Sequence, residues 1–324
     1  MTGHRPLPVS SIWVFLAWFG LVATGTACPV GEAAGDDDSG VAADDDDTTQ
    51  LEPVDLPTCL DDTTCPYLFA CGHRGAILFA PENTLVGFDV ALEFGVDIVE
   101  VDARPTADQV LVVMHDSTVD RTTDGSGAVD QLTLDQIREL AVVSEFDGIP
   151  DQPVPTFVEA LEHLRGRALV NVDAKTGRFD LIVADILSAD ASAWVYIQVD
   201  DLDEGLEVRE LDGSLRLMPD IEQPGDVELY GDALQPELAE VPWNQDDEAL
   251  FAGLADRGIR VNQNALGVAD AAAMAHEANG DDPCTAFRGI WERGATLIQT
   301  DAPHLLVPCL TALNTAAGYE HEPG

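Results

Sequence analysis

Short apolar runs alternate with longer amphipathic segments along most of the chain. The runs are of strand type, and the segments between them place apolar residues three and four positions apart. Leu85, Phe88 and Leu92 share one helical face in this way, and Gly95 follows them as a helix end. The pattern predicts an α/β protein built from repeated strand–helix units. The main predicted strands are 67–71, 97–102, 110–114, 168–174, 194–199, 214–218 and 296–301.

Two helix starts carry a capping signature. Thr133 with Gln136, and Thr156 with Glu159, have the spacing of a capping box, which predicts helices over 134–140 and 157–164. The segment 222–243 is acidic and rich in Pro and Gly, and we expect loops with one short helix there.

Side chains suited to catalysis follow several predicted strands. Alternation in 97–102 puts Glu100 and Asp102 on the same face. His73 follows the first run, and His115 follows 110–114, interpreted as a third strand. At the C-terminal ends of barrel strands, two such carboxylates would converge on one cation.

The residues around these positions form an ordered set of motifs. They are H-R-G at 73–75, P-E-N-T at 81–84, E-x-D at 100–102, H-D at 115–116 and D-R-T-T-x-G-x-G at 120–127. In order and spacing the set resembles the glycerophosphodiester phosphodiesterase family, and a closing T-D-x-P follows at 300–303. The resemblance implies a (β/α)8 TIM barrel with a small insertion after strand 3, in a domain over 58–324. It also implies a phosphoric diester hydrolase that uses Mg²⁺ or Ca²⁺ and releases glycerol 3-phosphate and an alcohol.

The resemblance and the chemistry of phosphodiesters together suggest roles for the site residues. A dication with oxygen ligands absorbs the charge added by attack at phosphorus, and histidines can move the protons. We expect a metal site of Glu100, Asp102 and Asp173, with His73 as base, His115 as acid, and Arg74 and Lys175 on the phosphate oxygens. Glu82 could add a ligand or orient Arg74, and Asp116 could orient a histidine or form a turn.

Two departures from the family pattern affect the expected function. Asp173-Ala174-Lys175 stands where the family usually has Glu-x-Lys, and the aspartate is typical of sphingomyelinase D-type phospholipases. A lysophospholipid substrate is therefore an alternative, and a non-catalytic surface binding protein is another. The segment 260–267 lacks the Trp-Thr pair of many members, so Asn264 could act as the polar group at the mouth.

Composition limits the partners of the chain. Its 324 residues carry 15 basic and 60 acidic side chains, a net charge of −45. That balance argues against nucleic acid, whose phosphates need Lys and Arg, and predicts repulsion from anionic membrane surfaces. The length allows one barrel domain of about 250 residues with a tail.

The N-terminal residues predict export. Residues 1–27 combine His4 and Arg5 with an apolar stretch at 12–23, which is short for a spanning helix and typical of a signal peptide. Small residues precede Cys28, as in bacterial lipoprotein cleavage sites, so we expect lipidation at Cys28 and anchoring on the cell envelope. Plain secretion and an uncleaved anchor are the alternatives. Residues 28–57 are acidic and predict a disordered tether.

The cysteines agree with export. If Cys28 is lipidated, five remain. Cys59 with Cys65 would close a short loop, Cys284 with Cys309 would brace the last strand and helix, and Cys71 would be free. The sequence leaves the pairing open.

Overall fold

The computed structural model describes residues 51–320, and within this range eight parallel strands form a nearly closed (β/α)8 barrel. The fifth and sixth strands meet through a single parallel bridge between Asp220 and Glu240. The expected TIM-barrel fold is confirmed. The barrel strands in chain order are Phe69–Gly72, Ile98–Pro105, Leu169–Ala174, Val195–Val199, Arg216–Pro219, Leu238–Glu240, Arg260–Asn264 and Leu297–Thr300.

Helices cover the outside of the barrel and follow the predicted start signals. Thr84 caps the helix after the first strand by accepting from the Gly87 amide, and Gly95 ends it at φ 88°. Both predicted capping boxes are formed, although the first opens a single turn. The helices are Leu56–Asp61, Leu85–Phe94, Leu134–Ile137, Phe157–Leu164, Phe179–Ser188, Leu202–Leu211, Pro224–Ala233, Glu248–Asp256, Val268–Asn279, Cys284–Glu292 and Pro303–Ala316.

The prediction of a third barrel strand at 110–114 is wrong. Leu111–Val113 pairs antiparallel with Ala103–Pro105 and lies off the path of the barrel. Only residues 106–110 connect the two strands, and a parallel crossover needs a dozen or more. The third barrel strand is therefore Leu169–Ala174, and the insertion, which contains Leu134–Ile137, lies between the second and third barrel strands.

The folded domain also begins earlier than the predicted tether allows. Glu52–Pro53 pairs with Tyr319–Glu320, and Asp55 caps the helix Leu56–Asp61 by accepting from the Thr58 amide. The tether prediction is therefore wrong for residues 52–57. The signal peptide and Cys28 lie outside the described residues.

The N-terminal end of the barrel is closed by the segment before the first strand. Cys59 and Cys65 form a disulfide there, and with Tyr67 they pack against apolar side chains at the bottom of the barrel. Arg260, 4% exposed, donates hydrogen bonds to the carbonyl oxygens of Cys59, Leu60, Asp62 and Cys65. The other end of the barrel is left as the mouth.

The cysteine expectations are confirmed for the described residues. Cys284 and Cys309 form a second disulfide, which joins the helices on either side of the last barrel strand, and Cys71 is free and buried. Within residues 51–320, no helix is both long and apolar enough to span a bilayer.

Candidate active site

Three carboxylates meet at the C-terminal ends of the second and third barrel strands. Glu100 and Asp102 come from the second strand, and Asp173 is the register partner of Asp102 on the third. One oxygen of each side chain lies within 4.8 Å of the others. Glu100 and Asp102 are 2% and 0% exposed, so little water screens them. Converging carboxylate oxygens are the ligands that Mg²⁺ and Ca²⁺ use.

Two basic side chains partly balance this charge. Lys175 Nζ lies 3.1 Å from Asp102 Oδ1 and hydrogen-bonds Asp173, and Arg74 Nε lies 3.4 Å from Asp102 Oδ2. Burial, reinforced by the charges of Asp102 and Asp173, raises the pKa of Glu100 well above its usual range. Burial also raises the pKa of Asp173, although the charge of Lys175 opposes this. When closely spaced, buried carboxylates have raised pKa values, a further positive charge between them would stabilise their ionised forms.

The donor set fits a divalent cation. Asp102 Oδ1 is buried and accepts no hydrogen bond. Lys175 Nζ lies 3.1 Å from it as an ion-pair partner, so the oxygen can still act as a metal ligand. Within the described residues, this is the group of three acidic side chains close enough to share an ion. Glu100, Asp102 and Asp173 would therefore hold the cation.

Two turns hold these carboxylates in place. The amide of Arg74 donates to Glu100 Oε2 at 2.8 Å, and Asn83 Nδ2 donates to Asp102 Oδ2 at 2.6 Å. Arg74 and Asn83 both have positive φ, 52° and 56°, which is strained for such residues and common at functional sites. Gly75 has φ 91°, and a Cβ there would lie 2.8 Å from the backbone of Gly87. The H-R-G and P-E-N-T motifs thus supply backbone geometry as well as side chains.

His73 is oriented by a residue from the far end of the chain. Its Nδ1 lies 2.7 Å from Asp301 Oδ1. Asp301 in turn donates its amide to Asp270, which also accepts from the Thr300 hydroxyl at 2.6 Å. Burial raises the pKa of Asp270 to about 6, against the hydrogen bond from Thr300. Because Nδ1 of His73 is engaged, its Nε2 is the nitrogen available to a substrate.

His115 is oriented by its neighbour and by the insertion. Its Nδ1 lies 2.8 Å from Asp116 Oδ1, and Arg104 donates to its carbonyl oxygen at 2.7 Å. Arg121 Nε donates to Asp116 Oδ2 at 2.7 Å. Asp116 therefore positions the histidine, which is one of its two expected roles.

Arg121 links Asp116 to Glu82 of the P-E-N-T motif. Its Nη1 and Nη2 donate to both oxygens of Glu82 at 2.7 and 2.8 Å, and Glu82 also accepts from Arg74 at 3.1 Å. Burial of Glu82 acts to raise its pKa, but the hydrogen bonds and charges of Arg121 and Arg74 outweigh it and lower the pKa. The hydrogen bonds from Arg121 and His115 likewise hold the pKa of Asp116 far below its usual range. This chain of ion pairs fixes the carboxylates in the charged form.

The structure thus brings the expected residues to the mouth of the barrel, and the contacts of Glu82 decide between its two expected roles. Glu82 lies outside the three converging carboxylates and pairs with Arg74, so its geometry is that of an orienting residue. Asn83, Arg121, Asp270 and Asp301 are site residues without a role predicted from the sequence, although the first, second and fourth of them lie in the recognised motifs.

Fold and site together define a (β/α)8-barrel protein with an acidic, histidine-flanked centre suited to a divalent cation and a phosphate. Residues 73–180 match the model of the glycerophosphoryl diester phosphodiesterase family. The matched segment contains His73, Glu100, Asp102, His115 and Asp173, so the part of the chain that carries the site resembles this family.

Named relatives show the same partial likeness. The chain is 41% identical over 107 residues to a glycerophosphodiester phosphodiesterase of Caldanaerobacter subterraneus, and 43% identical over 119 residues to glycerophosphodiester phosphodiesterase 1 of Mus musculus. These matches cover 32% and 36% of this chain, and 44% and 36% of the relatives, so the chain spans less than half of the relatives' length.

Solved structures extend the likeness over the barrel. A glycerophosphodiester phosphodiesterase from Agrobacterium tumefaciens superposes with a TM-score of 0.64 and 26% identity, covering 74% of this chain and 99% of that one. A phosphodiesterase from Oleispira antarctica, solved with the product sn-glycerol-3-phosphate, superposes with a TM-score of 0.63 at 18% identity, over 76% of this chain and 98% of that one. The second likeness bears on the fold alone.

Proposed function

We propose that the protein is a metal-dependent phosphodiesterase that hydrolyses glycerophosphodiesters to glycerol 3-phosphate and an alcohol. The observation that carries the proposal is the convergence of Glu100, Asp102 and Asp173 beside two histidines that are each oriented by a carboxylate. The names of the relatives support the substrate class.

In this proposal Glu100, Asp102 and Asp173 would hold a divalent cation, which when bound would offset the negative charge that develops on the phosphate. Arg74 and Lys175 hold the non-bridging oxygens through charge-assisted hydrogen bonds. Arg74 and Lys175 each form an ion pair with Asp102, and these ion pairs hold the two cationic groups at the mouth.

His73 and His115 move the protons. His73 takes the proton of the nucleophile on Nε2, and Asp301 stabilises the imidazolium that forms. His115 gives its proton to the leaving alkoxide, with Asp116 as its orienting partner. Asp116 keeps its charge through Arg121, so it can support a protonated His115.

A panel of diesters tests the activity. Purified protein is incubated with glycerophosphodiesters and lysophosphatidylcholine, with Mg²⁺, Ca²⁺ or chelator, and products are identified by phosphorus NMR. We expect glycerol 3-phosphate from the glycerophosphodiesters and loss of turnover with chelator. Preferred cleavage of lysophosphatidylcholine would favour the sphingomyelinase D-like alternative, which rests on Asp173. Absence of turnover with every diester would favour a binding protein.

We also propose that the protein is exported and held on the cell envelope through a lipid on Cys28. The two disulfides support an oxidising compartment, because reducing cytosol rarely allows structural disulfides.

A further inference from the structure

The side of the mouth formed by the fifth to seventh barrel strands contains unpartnered hydrogen-bond acceptors. Asp220 and Glu240 face each other as a bridge between strands five and six, and Asn262 and Asn264 lie on strand seven. Both asparagines donate Nδ2 to Glu240. Their Oδ1 atoms and Oδ1 of Asp220 are buried without a hydrogen-bond partner. Asn262 is only 1% exposed, so its orphaned oxygen points to a missing donor rather than to bulk water.

This acceptor sector, defined as Asp220, Glu240, Asn262 and Asn264, has no positive partner of its own. Among the ion pairs of residues 51–320, none includes Asp220 or Glu240. Burial, with the charges of Asp200 and Glu222, raises the pKa of Asp220 to about 7, against a hydrogen bond from Gln198. Burial also raises the pKa of Glu240 to about 8, against the hydrogen bond from Asn262. An incoming cation would relieve both shifts.

A cavity adjoins the sector at the rim. Its volume is about 340 Å³, and its lining includes Asn264, Trp243 and Asp246 as well as Arg293, whose guanidinium donates to the carbonyl oxygen of Trp243 and to Gln263. Trp243 is 49% exposed, so its ring is accessible, and an indole face attracts cations. Asp173 pairs in register with Gln198, and Val199 pairs with Pro219, the residue before Asp220, so the sector lies at the same end of the barrel as the three converging carboxylates. A substrate with its phosphate at those carboxylates could therefore extend its alcohol toward the sector.

We propose that the acceptor sector and Trp243 bind a protonated primary amine on the leaving alcohol, which makes aminoalcohol diesters the preferred substrates. This inference rests on the proposed function. The free groups are oxygens that accept hydrogen bonds, and a primary ammonium supplies three N–H donors together with a charge. A quaternary ammonium supplies the charge alone, and a neutral polyol supplies donors alone. The predicted order of kcat/KM is glycerophosphoethanolamine, then glycerophosphocholine, then glycerophosphoglycerol.

The test compares these three diesters in the wild type and in Asp220→Asn, which keeps the shape of the side chain. Because hydrogen bonds to charged groups contribute about 1.5–3 kcal/mol, we expect kcat/KM for the ethanolamine diester to fall about 10–100-fold. The value for the glycerol diester should change less than about threefold. Asp203→Asn, on an exposed helical position, is the matched control and should leave all three values unchanged.

Trp243→Ala is a second test that remains usable if Asp220→Asn fails to fold, because the side chain of Trp243 is exposed and contributes little to the core. It should reduce kcat/KM for both ammonium diesters and spare the glycerol diester. Equal turnover of the three diesters by the wild type, or equal losses for all three in both variants, would overturn the proposal. Failure of every diester in the wild type would instead refute the proposed function itself.

Discussion

Replacing Glu100 by Gln should stabilise the metal-free protein while abolishing its activity. Glu100 is buried against Asp102 and Asp173, with ligand oxygens within 4.8 Å. At that distance two full charges repel by about 3.5 kcal/mol at an effective dielectric constant of 20. Lys175, Arg74 and proton uptake by Glu100 offset part of this repulsion, so we expect a net gain of about 1–3 kcal/mol. Gln keeps an oxygen that can accept the hydrogen bond from the Arg74 amide.

The pH dependence has a defined sign. The pKa of Glu100 is raised in the folded protein, so the folded state binds more protons than the unfolded state above the ordinary pKa of glutamate. Stability of the metal-free wild type should therefore fall as pH rises from that value toward the raised pKa. The fall should be shallower in Glu100→Gln, which has no proton to lose there.

Thermal unfolding in chelator, and then with Mg²⁺ or Ca²⁺, measures these effects. We expect the variant to unfold at least about 2 °C above the wild type in chelator. Added cation should raise the Tm of the wild type by mass action and leave the variant nearly unchanged. Glu93→Gln, the same change at an exposed position on the first barrel helix, should alter neither value. A destabilised variant that still responds to cation would refute the assignment of Glu100.

Three further outcomes are expected. Loss of His73 or His115 should reduce kcat/KM about 10²–10⁴-fold, with a double variant far from additive, and a nitrophenyl diester should rescue only His115→Ala if that residue is the acid. Arg121→Gln should lower kcat more than it changes Tm, because it releases both Asp116 and Glu82, whereas Arg138→Gln, whose ion pair is with Glu159 and includes none of the site residues, should leave kcat unchanged. Cys28→Ser should release the protein from the membrane fraction, and retention there would indicate that residues 12–23 hold it instead.

The sequence predicted the site better where the chemistry is local. Glu100 and Asp102 share a face because strands alternate, and that geometry needs no knowledge of distant residues. The partner of His73 could not be found in this way, since Asp301 lies 228 positions away and meets it only when the first and last strands pair. The role of Arg121 was hidden because its loop has no periodicity, and its two carboxylates come from different segments.

Errors in the fold came from short elements. An apolar run at 110–114 has the composition of a barrel strand, and only the length of its connection reveals a hairpin. The sixth strand, Leu238–Glu240, has three residues within an acidic, Pro-rich segment, too few for a periodic signal. Asp220 and Glu240 of the acceptor sector were therefore not found from the sequence, whereas Asn264 was expected at the mouth because of the departure from the family pattern at 260–267.

The closed bottom of the barrel determines which direction the mouth faces. The described chain enters through Glu52–Pro53 and the helix Leu56–Asp61, at the end opposite the three converging carboxylates. A tether through the preceding residues would attach at this closed end, so the mouth would lie at the end of the domain farthest from the attachment point. Water-borne diesters would reach the mouth directly, whereas a lysophospholipid would have to leave its own membrane, or the whole domain would have to tip over.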